Sequence, residues 1–194
     1  MNLPNKLTVF RIFMAPVVLL LFCLNFPGWE PWISLVTAAV FGITSLTDMI
    51  DGKIARKRGL ITDFGKFMDP LADKFLVIAS MLGILVKYDW FRPVFVWAAA
   101  IVIFREFAVT SVRMIAANKA GVVIAAAWLG KVKTTSQIIC ILTVLLEPVL
   151  FWFFPPFAEW HILSYVTTAF MVFMTLWSGI DYMRKYWKYI SADK

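Results

Sequence analysis

Hydrophobic residues occur along the chain in six long runs, which short polar or charged segments separate. Each run approaches the roughly 20 residues that an α-helix needs to cross the hydrocarbon layer of a bilayer. The pattern therefore predicts an all-α integral membrane protein with six transmembrane helices. The predicted helices cover residues 7–24, 32–55, 63–86, 91–114, 127–146 and 160–182. Segment 116–128 is expected to be a short interfacial or re-entrant connection.

The composition agrees with a membrane protein. Of the 194 residues, 61% are hydrophobic, whereas soluble domains are about 45–50% apolar. The chain leaves no room for a sizeable soluble domain, so we predict a single membrane domain over residues 1–194. The net charge of +7 would favour nucleic-acid binding in a soluble protein. Here its distribution reflects topology instead, and no nucleic-acid partner is expected.

Lysine and arginine are distributed unevenly between the two predicted membrane faces. Six crossings put both termini on one face, and that face carries 17 of the 19 cationic residues. The opposite face has only Lys87 and Arg92. Because Lys and Arg accumulate in cytoplasmic segments, we predict that both termini are cytoplasmic.

Five aspartates lie in the stretch 48–73, between long apolar runs, and four of them form two closely spaced pairs. Ionisable residues next to membrane helices are costly and indicate function. Asp48 and Asp51 are three residues apart, and Asp69 and Asp73 are four apart, so each pair shares a helix face. Four carboxylates this close would repel one another, which predicts a cation between them.

The residue types around the aspartates narrow the chemistry. Carboxylate oxygens without Cys or His neighbours suit Mg²⁺ or Mn²⁺ rather than zinc. Four of them fit two ions, an arrangement that stabilises phosphoryl displacement. Gly52, Ala55 and Gly65 would let a phosphate ligand approach the backbone, and Arg56 is suited to pairing with a phosphate oxygen.

The order Asp48-xx-Asp51-Gly52-xx-Ala55-Arg56, eight residues, Gly65-xxx-Asp69-xxx-Asp73 resembles the signature of the CDP-alcohol phosphatidyltransferases at all eight specified positions. The resemblance implies a Mg²⁺-dependent, often homodimeric enzyme whose site opens near the cytoplasmic surface. It also implies transfer of a phosphatidyl group from CDP-diacylglycerol to an alcohol, with release of CMP.

The same resemblance assigns roles to the eight positions. The four aspartates would bind two metal ions, and Asp73 would also be the general base on the acceptor hydroxyl. The four other positions would line the CDP site: Gly52, Ala55, Arg56 and Gly65.

Four cations further along the chain are candidates for binding the phosphate of a phosphorylated alcohol: Arg105, Arg113, Lys131 and Lys133. Arg105 interrupts an apolar run, where an unpaired cation is expensive. Glu106 follows it directly, and adjacent helical residues are expected to point in different directions.

Three segments look like the bacterial phosphatidylglycerolphosphate synthases: residues 2–8 with Arg11, residues 105–113, and residues 128–137. This resemblance implies glycerol 3-phosphate as the acceptor and the plasma membrane of a bacterium as the location. Serine, inositol phosphate and phosphatidylglycerol remain alternative acceptors.

Other classes of membrane protein fit less well. A Mg²⁺-dependent prenyltransferase shares the aspartate pairs, but it usually has more helices and leaves the Gly, Ala and Arg positions unexplained. An ion transporter would carry acids at mid-membrane depth on several helices. A histidine phosphatase is disfavoured because the single histidine, His161, falls near the opposite membrane face.

Overall fold

The computed structural model describes residues 3–58, 63–120, 128–153 and 160–190. Within these ranges the chain forms six α-helices and no β-strand, which confirms the predicted all-α class and the order of the elements. The helices are α1 (Leu3–Cys23), α2 (Glu30–Arg58), α3 (Asp63–Lys87), α4 (Arg92–Ala120), α5 (Trp128–Phe153) and α6 (Ile162–Ile190).

Four of these helices are long and apolar enough to cross a membrane, counting the described residues alone. The qualifying stretches are Asn5–Cys23, Arg92–Ile115, Trp128–Trp152 and Ile162–Trp187. Helices α2 and α3 have 29 and 25 residues, but they carry the charged residues of the stretch 48–73. The chain is therefore a membrane protein with several spanning helices, and the crossings by α2 and α3 stay a prediction.

Three predicted helix ends are wrong. Helix α6 does not end at residue 182 but continues to Ile190. Helix α5 does not end at residue 146 but passes through Pro148 and continues to Phe153. Helices that are packed in a membrane protein tolerate proline, because neighbouring groups compensate for the lost hydrogen bond. Helix α4 continues to Ala120, so the first residues of the predicted connection 116–128 are helical, whereas residues 121–127 lie outside the described ranges.

Helix α1 packs along both α2 and α3, and its approach to α3 is very close. The ring of Phe22 occupies the position where a side chain on Gly83 would begin. Helix α5 packs against α2 and α6, and α4 packs against α6 and α3. The core between the helices is made of aromatic and aliphatic side chains, among them Phe22, Phe41, Leu76, Met81, Ile84, Phe91, Phe95, Val102, Ile141, Leu145 and Met171.

A buried glutamate connects α5 to the start of α6. The carboxylate of Glu147, which is 1% exposed, accepts hydrogen bonds from the backbone N–H groups of Leu163 and Ser164, both at 2.8 Å, and from the Ser164 hydroxyl. The first N–H groups of a helix have no partner within the helix, and the helix dipole favours a negative charge there. Glu147 therefore caps α6 from the neighbouring helix.

Candidate active site

The aspartate signature is divided between two helices. The backbone of Asp48 and Asp51 lies near the C-terminal end of α2, and that of Asp69 and Asp73 lies in the first half of α3. The side chain of Asp73 is described and is partly buried. The side chains of the other three aspartates lie outside the described part of the chain, as do those of the predicted CDP contacts Gly52, Ala55, Arg56 and Gly65.

Helix α3 meets α4 and α5 at Asp73 and Lys74. The carboxylate of Asp73 is close enough to the ammonium group of Lys133 for the two charges to interact. The ammonium group of Lys74 donates a hydrogen bond to the Thr110 hydroxyl and lies 4.0 Å from Oε2 of Glu106. The end of the aspartate signature therefore adjoins the cations that were predicted to bind the acceptor.

Lys74, Arg105, Glu106 and Lys133 form a set of interacting charges, here called the cationic cluster. Lys133 is 5% exposed and Arg105 and Glu106 are each 9% exposed. The Lys133 ammonium donates to Oε1 of Glu106, and Nη1 of Arg105 lies 3.4 Å from the same oxygen. One carboxylate thus contacts cations from three helices.

The expectation that Glu106 points away from Arg105 is wrong. Neighbouring residues are about 100° apart around a helix, but α4 is covered by α3 on one side and by α6 on the other. The long guanidinium side chain of Arg105 bridges this angle and reaches Glu106 in the buried space between the helices.

Helix α6 completes the surroundings of Arg105. Nη2 of Arg105 donates to the Ser178 hydroxyl at 3.0 Å, and the guanidinium group lies 5.8 Å from the centre of the Tyr182 ring, a distance that permits a cation–π interaction. A Cβ atom on Gly179 would stand 3.2 Å from Cγ of Arg105. The small Ser178-Gly179 pair inside an aromatic segment was the sequence signal for this contact, and it was missed.

The cationic cluster is not neutral. It contains three cations and one anion, which gives a net charge of +2. Two further charges act on it, Asp73 on Lys133 and Arg113 on Arg105, and they have opposite signs. Burying charge is expensive unless opposite charge balances it. A phosphate monoester, whose second pKa is about 6, carries close to two negative charges at neutral pH. The cluster is therefore complementary in charge to one phosphate group.

The family model of the CDP-alcohol phosphatidyltransferases matches residues 1–178. This chain belongs to that family. The match includes α1 to α5, the complete aspartate signature and Ser178, so the predicted resemblance is confirmed over nearly the whole chain.

Curated relatives in the family match the chain from end to end. It is 41% identical to a CDP-diacylglycerol–glycerol-3-phosphate 3-phosphatidyltransferase of Bacillus subtilis, a match that covers 99% of this chain and 98% of the relative. An enzyme of the same name from Pseudomonas fluorescens is 30% identical, and the match covers 100% of this chain and 94% of the relative. A probable phosphatidylglycerophosphate synthase of Mycobacterium tuberculosis is 33% identical, and the match covers 95% of this chain and 81% of the relative.

The four predicted acceptor cations of this phosphatidyltransferase have different environments. Arg105 and Lys133 are buried in the cationic cluster. Arg113 is exposed on α4, although its charge acts on Arg105. Lys131 is exposed on α5, two residues from Lys133, so the two lysines leave the helix in different directions. The structure therefore brings two of the four together, and the roles of Lys131 and Arg113 stay predictions.

The donor set of the family signature suits the metal that it implies. Four carboxylates on two helices, without thiolate or imidazole groups, provide the oxygen ligands that Mg²⁺ and Mn²⁺ prefer. Asp73, the aspartate whose side chain is described, is partly buried and lies near the cationic cluster. A substrate with phosphate groups could there interact with both a metal ion and the Lys and Arg side chains. These residues fit a divalent cation.

The single histidine lies in an aromatic group away from the cluster. The His161 ring stacks on Trp90 with 3.7 Å between the ring centres, and burial lowers the pKa of its imidazole. Trp90 lies in the turn between α3 and α4, at the other end of α3 from the aspartates. This position fits a packing role and agrees with the expectation that phosphatase chemistry is disfavoured.

Proposed function

We propose that this chain transfers a phosphatidyl group from CDP-diacylglycerol to glycerol 3-phosphate, giving phosphatidylglycerol phosphate and CMP. Family membership supports the phosphatidyl transfer. The names of relatives that match nearly the full chain support the two substrates. This assignment places the chain among the enzymes of phospholipid synthesis and removes the prenyltransferase and transporter alternatives.

The observation that carries the proposal is that the aspartate signature ends directly beside the cationic cluster, since Asp73 is followed by Lys74. Asp73 interacts electrostatically with Lys133, and the next residue, Lys74, reaches Glu106 and Thr110 on α4. A transferase needs its donor and acceptor side by side, because holding two reactants in position removes much of the barrier. An acceptor whose phosphate lies on the cationic cluster has its hydroxyl groups free to approach Asp73.

In the proposed mechanism Asp48, Asp51, Asp69 and Asp73 would hold two Mg²⁺ or Mn²⁺ ions, which would supply positive charge to the pyrophosphate. Gly52, Ala55, Arg56 and Gly65 line the CDP site. Asp73 accepts the proton of the acceptor hydroxyl as its oxygen attacks the phosphorus of the phosphatidyl group. The bond between that phosphorus and the bridging oxygen breaks, and the bridging oxygen leaves with CMP.

The charge of the cluster favours a phosphorylated acceptor. A net charge of +2 is complementary to glycerol 3-phosphate or to inositol phosphate, but not to serine, whose own charges cancel. Arg105 presents a planar guanidinium that suits phosphate oxygens, and Lys133 adds a second donor. The names of the relatives then favour glycerol 3-phosphate over inositol phosphate.

We also propose that all six helices cross the plasma membrane of a bacterium as one domain, with both termini and the active site on the cytoplasmic side. The distribution of Lys and Arg supports this orientation, and water-soluble glycerol 3-phosphate needs access from the cytoplasm. A homodimer is proposed from the resemblance to the family. The lipid chains of the donor would stay in the bilayer beside the helices.

The decisive experiment measures CMP release by the purified protein in nanodiscs that contain CDP-diacylglycerol. We expect release with glycerol 3-phosphate and Mg²⁺, and little with glycerol, which has the same hydroxyl groups but no phosphate. Serine, inositol phosphate and phosphatidylglycerol are the competing acceptors. EDTA should abolish release, and Mg²⁺ or Mn²⁺ should restore it. Release with serine alone would disprove the acceptor, and no release with any acceptor would disprove the function.

A further inference from the structure

Glu106 is the residue through which the cationic cluster is held together. Its Oε1 accepts from Lys133 on α5 and lies 3.4 Å from Nη1 of Arg105 on α4, while Oε2 lies 4.0 Å from the ammonium group of Lys74 on α3. We propose that Glu106 is a positioning residue that holds Arg105 and Lys133 where they bind a dianionic phosphate, and that keeps the net charge of the cluster at +2. This inference rests on the proposed function.

The first argument is repulsion. Three cations from three helices surround one carboxylate, and two of them, Arg105 and Lys133, are buried. Buried like charges repel strongly because little water screens them. Lys133 is 5% exposed, so its ammonium group cannot turn to solvent without a change in packing. A carboxylate at the centre lets the three cations approach one another. Without it, Arg105 and Lys133 would separate and their donors would no longer converge.

The second argument is direction. A guanidinium binds a phosphate well only when its donors face it in a fixed plane. Arg105 is held by two groups at two of its nitrogens, with Glu106 at Nη1 and Ser178 at Nη2. Tyr182 lies beside the same group. These contacts fix the plane of the guanidinium before any ligand arrives, so less conformational freedom is lost on binding.

The third argument is charge balance. With glutamate at position 106 the cluster carries +2, which one phosphate dianion neutralises. With glutamine the same four side chains would carry +3, and a bound dianion would leave one buried cation unbalanced. Glu106 therefore has no need to touch the substrate, and it acts through Arg105 and Lys133.

The test compares Glu106→Gln and Glu106→Asp with the wild-type enzyme in nanodiscs, with CMP release measured against each substrate. We expect Glu106→Gln to raise the KM for glycerol 3-phosphate roughly 10- to 100-fold, the range known for residues that orient a binding side chain. The KM for CDP-diacylglycerol should change by less than about threefold, because the lost carboxylate is proposed to act on binding of the acceptor and not of the donor. Glu106→Asp keeps the charge and should recover part of the loss.

Glu147→Gln is the matched control. It removes the same charge from another buried glutamate, which contacts backbone groups of α6 and forms no ion pair with a lysine or arginine in the described part of the chain. Lys133 and Glu147 are 14 residues apart on α5, or about 21 Å along the helix axis. We expect Glu147→Gln to lower the melting temperature while leaving the ratio of the two KM values within about twofold of wild type.

Three results would overturn the inference. A KM for glycerol 3-phosphate that is unchanged or lower in Glu106→Gln would mean that the carboxylate competes with the phosphate or has no part in its binding. Equal increases in both KM values would indicate a general defect in folding. Failure of Glu106→Asp to recover any affinity would show that charge at this position is not what matters. Failure of the proposed function would instead appear in the wild-type enzyme, as absence of CMP release with glycerol 3-phosphate.

Discussion

Two buried glutamates, Glu106 on α4 and Glu147 on α5, have opposite surroundings. The carboxylate of Glu147 meets two N–H groups and a hydroxyl at the start of α6, so its hydrogen bonds are satisfied within the protein. The carboxylate of Glu106 meets three cations, which leave an excess of positive charge. The first arrangement stabilises a helix end, and the second is the one proposed to bind an anion. Burial alone thus does not separate a structural carboxylate from a functional one, whereas the local charge balance does.

The largest effect expected from this difference is that of Asp73→Asn. Asp73 borders the cluster and is the proposed general base, so its loss should reduce kcat at least about a hundredfold. The melting temperature of Asp73→Asn should stay near that of wild type. Glu147→Gln should do the opposite, because it should lower the melting temperature and leave kcat per folded molecule unchanged. The rate of CMP release would measure kcat, and thermal unfolding of the same preparations would measure the melting temperature. Retention of more than about a tenth of kcat would contradict the role of Asp73 as base.

A second comparison concerns the two lysines of α5. Lys133→Gln removes a buried cation from the cluster and should raise the KM for glycerol 3-phosphate roughly 30-fold or more, because breaking a buried charge interaction costs about 2 kcal/mol or more. Lys131→Gln makes the same chemical change at an exposed position and should raise it by about twofold at most, because exposed ion pairs contribute little. Titration of glycerol 3-phosphate at saturating CDP-diacylglycerol would measure both. Equal effects would show that position 131 belongs to the acceptor site.

The smallest expected effect is at Gly179, where the cluster meets α6. A Cβ atom there would stand 3.2 Å from Cγ of Arg105, so Gly179→Ala should displace the arginine slightly and raise the KM for glycerol 3-phosphate about two- to fivefold. Gly42→Ala is the control, since its Cβ would make an ordinary 3.8 Å contact with Leu142. A similar increase of the KM for glycerol 3-phosphate in both variants would mean that it arises from a general disturbance of helix packing and not from Arg105.

The sequence predicted the helices and the aspartate signature, because both depend on local patterns. Hydrophobic runs of spanning length identify helices whatever their neighbours are, and the signature occupies fixed spacings on two of them. Boundaries were less certain, as Pro148 shows: whether a helix continues past a proline depends on what packs beside it. The sequence near Pro148 does not reveal that α6 packs beside this part of α5 or that Glu147 contacts the start of α6.

The contacts of the cationic cluster were harder to predict. Arg105 was identified because it interrupts an apolar run, and Lys133 because it lies at the predicted cytoplasmic start of the fifth helix. Glu106 was expected to point elsewhere on its helix. Its direction depends on how α3, α5 and α6 surround α4, and sequence spacing within one helix does not include that information. Ser178 was missed for the same reason, since it lies 73 residues from Arg105.

That separation has a consequence for biosynthesis. At about 5–20 residues per second, the ribosome adds Ser178 roughly 4 to 15 seconds after Arg105, so α4 is made well before the last helix exists. Glu106 is made with Arg105 in the same segment and supplies a counter-charge while the newly made α4 enters the bilayer. A chain that stops before Ser178 would retain the aspartate signature but would lack the hydrogen bond from Arg105 to Ser178. Translation must therefore reach the last helix before the surroundings of Arg105 can be completed.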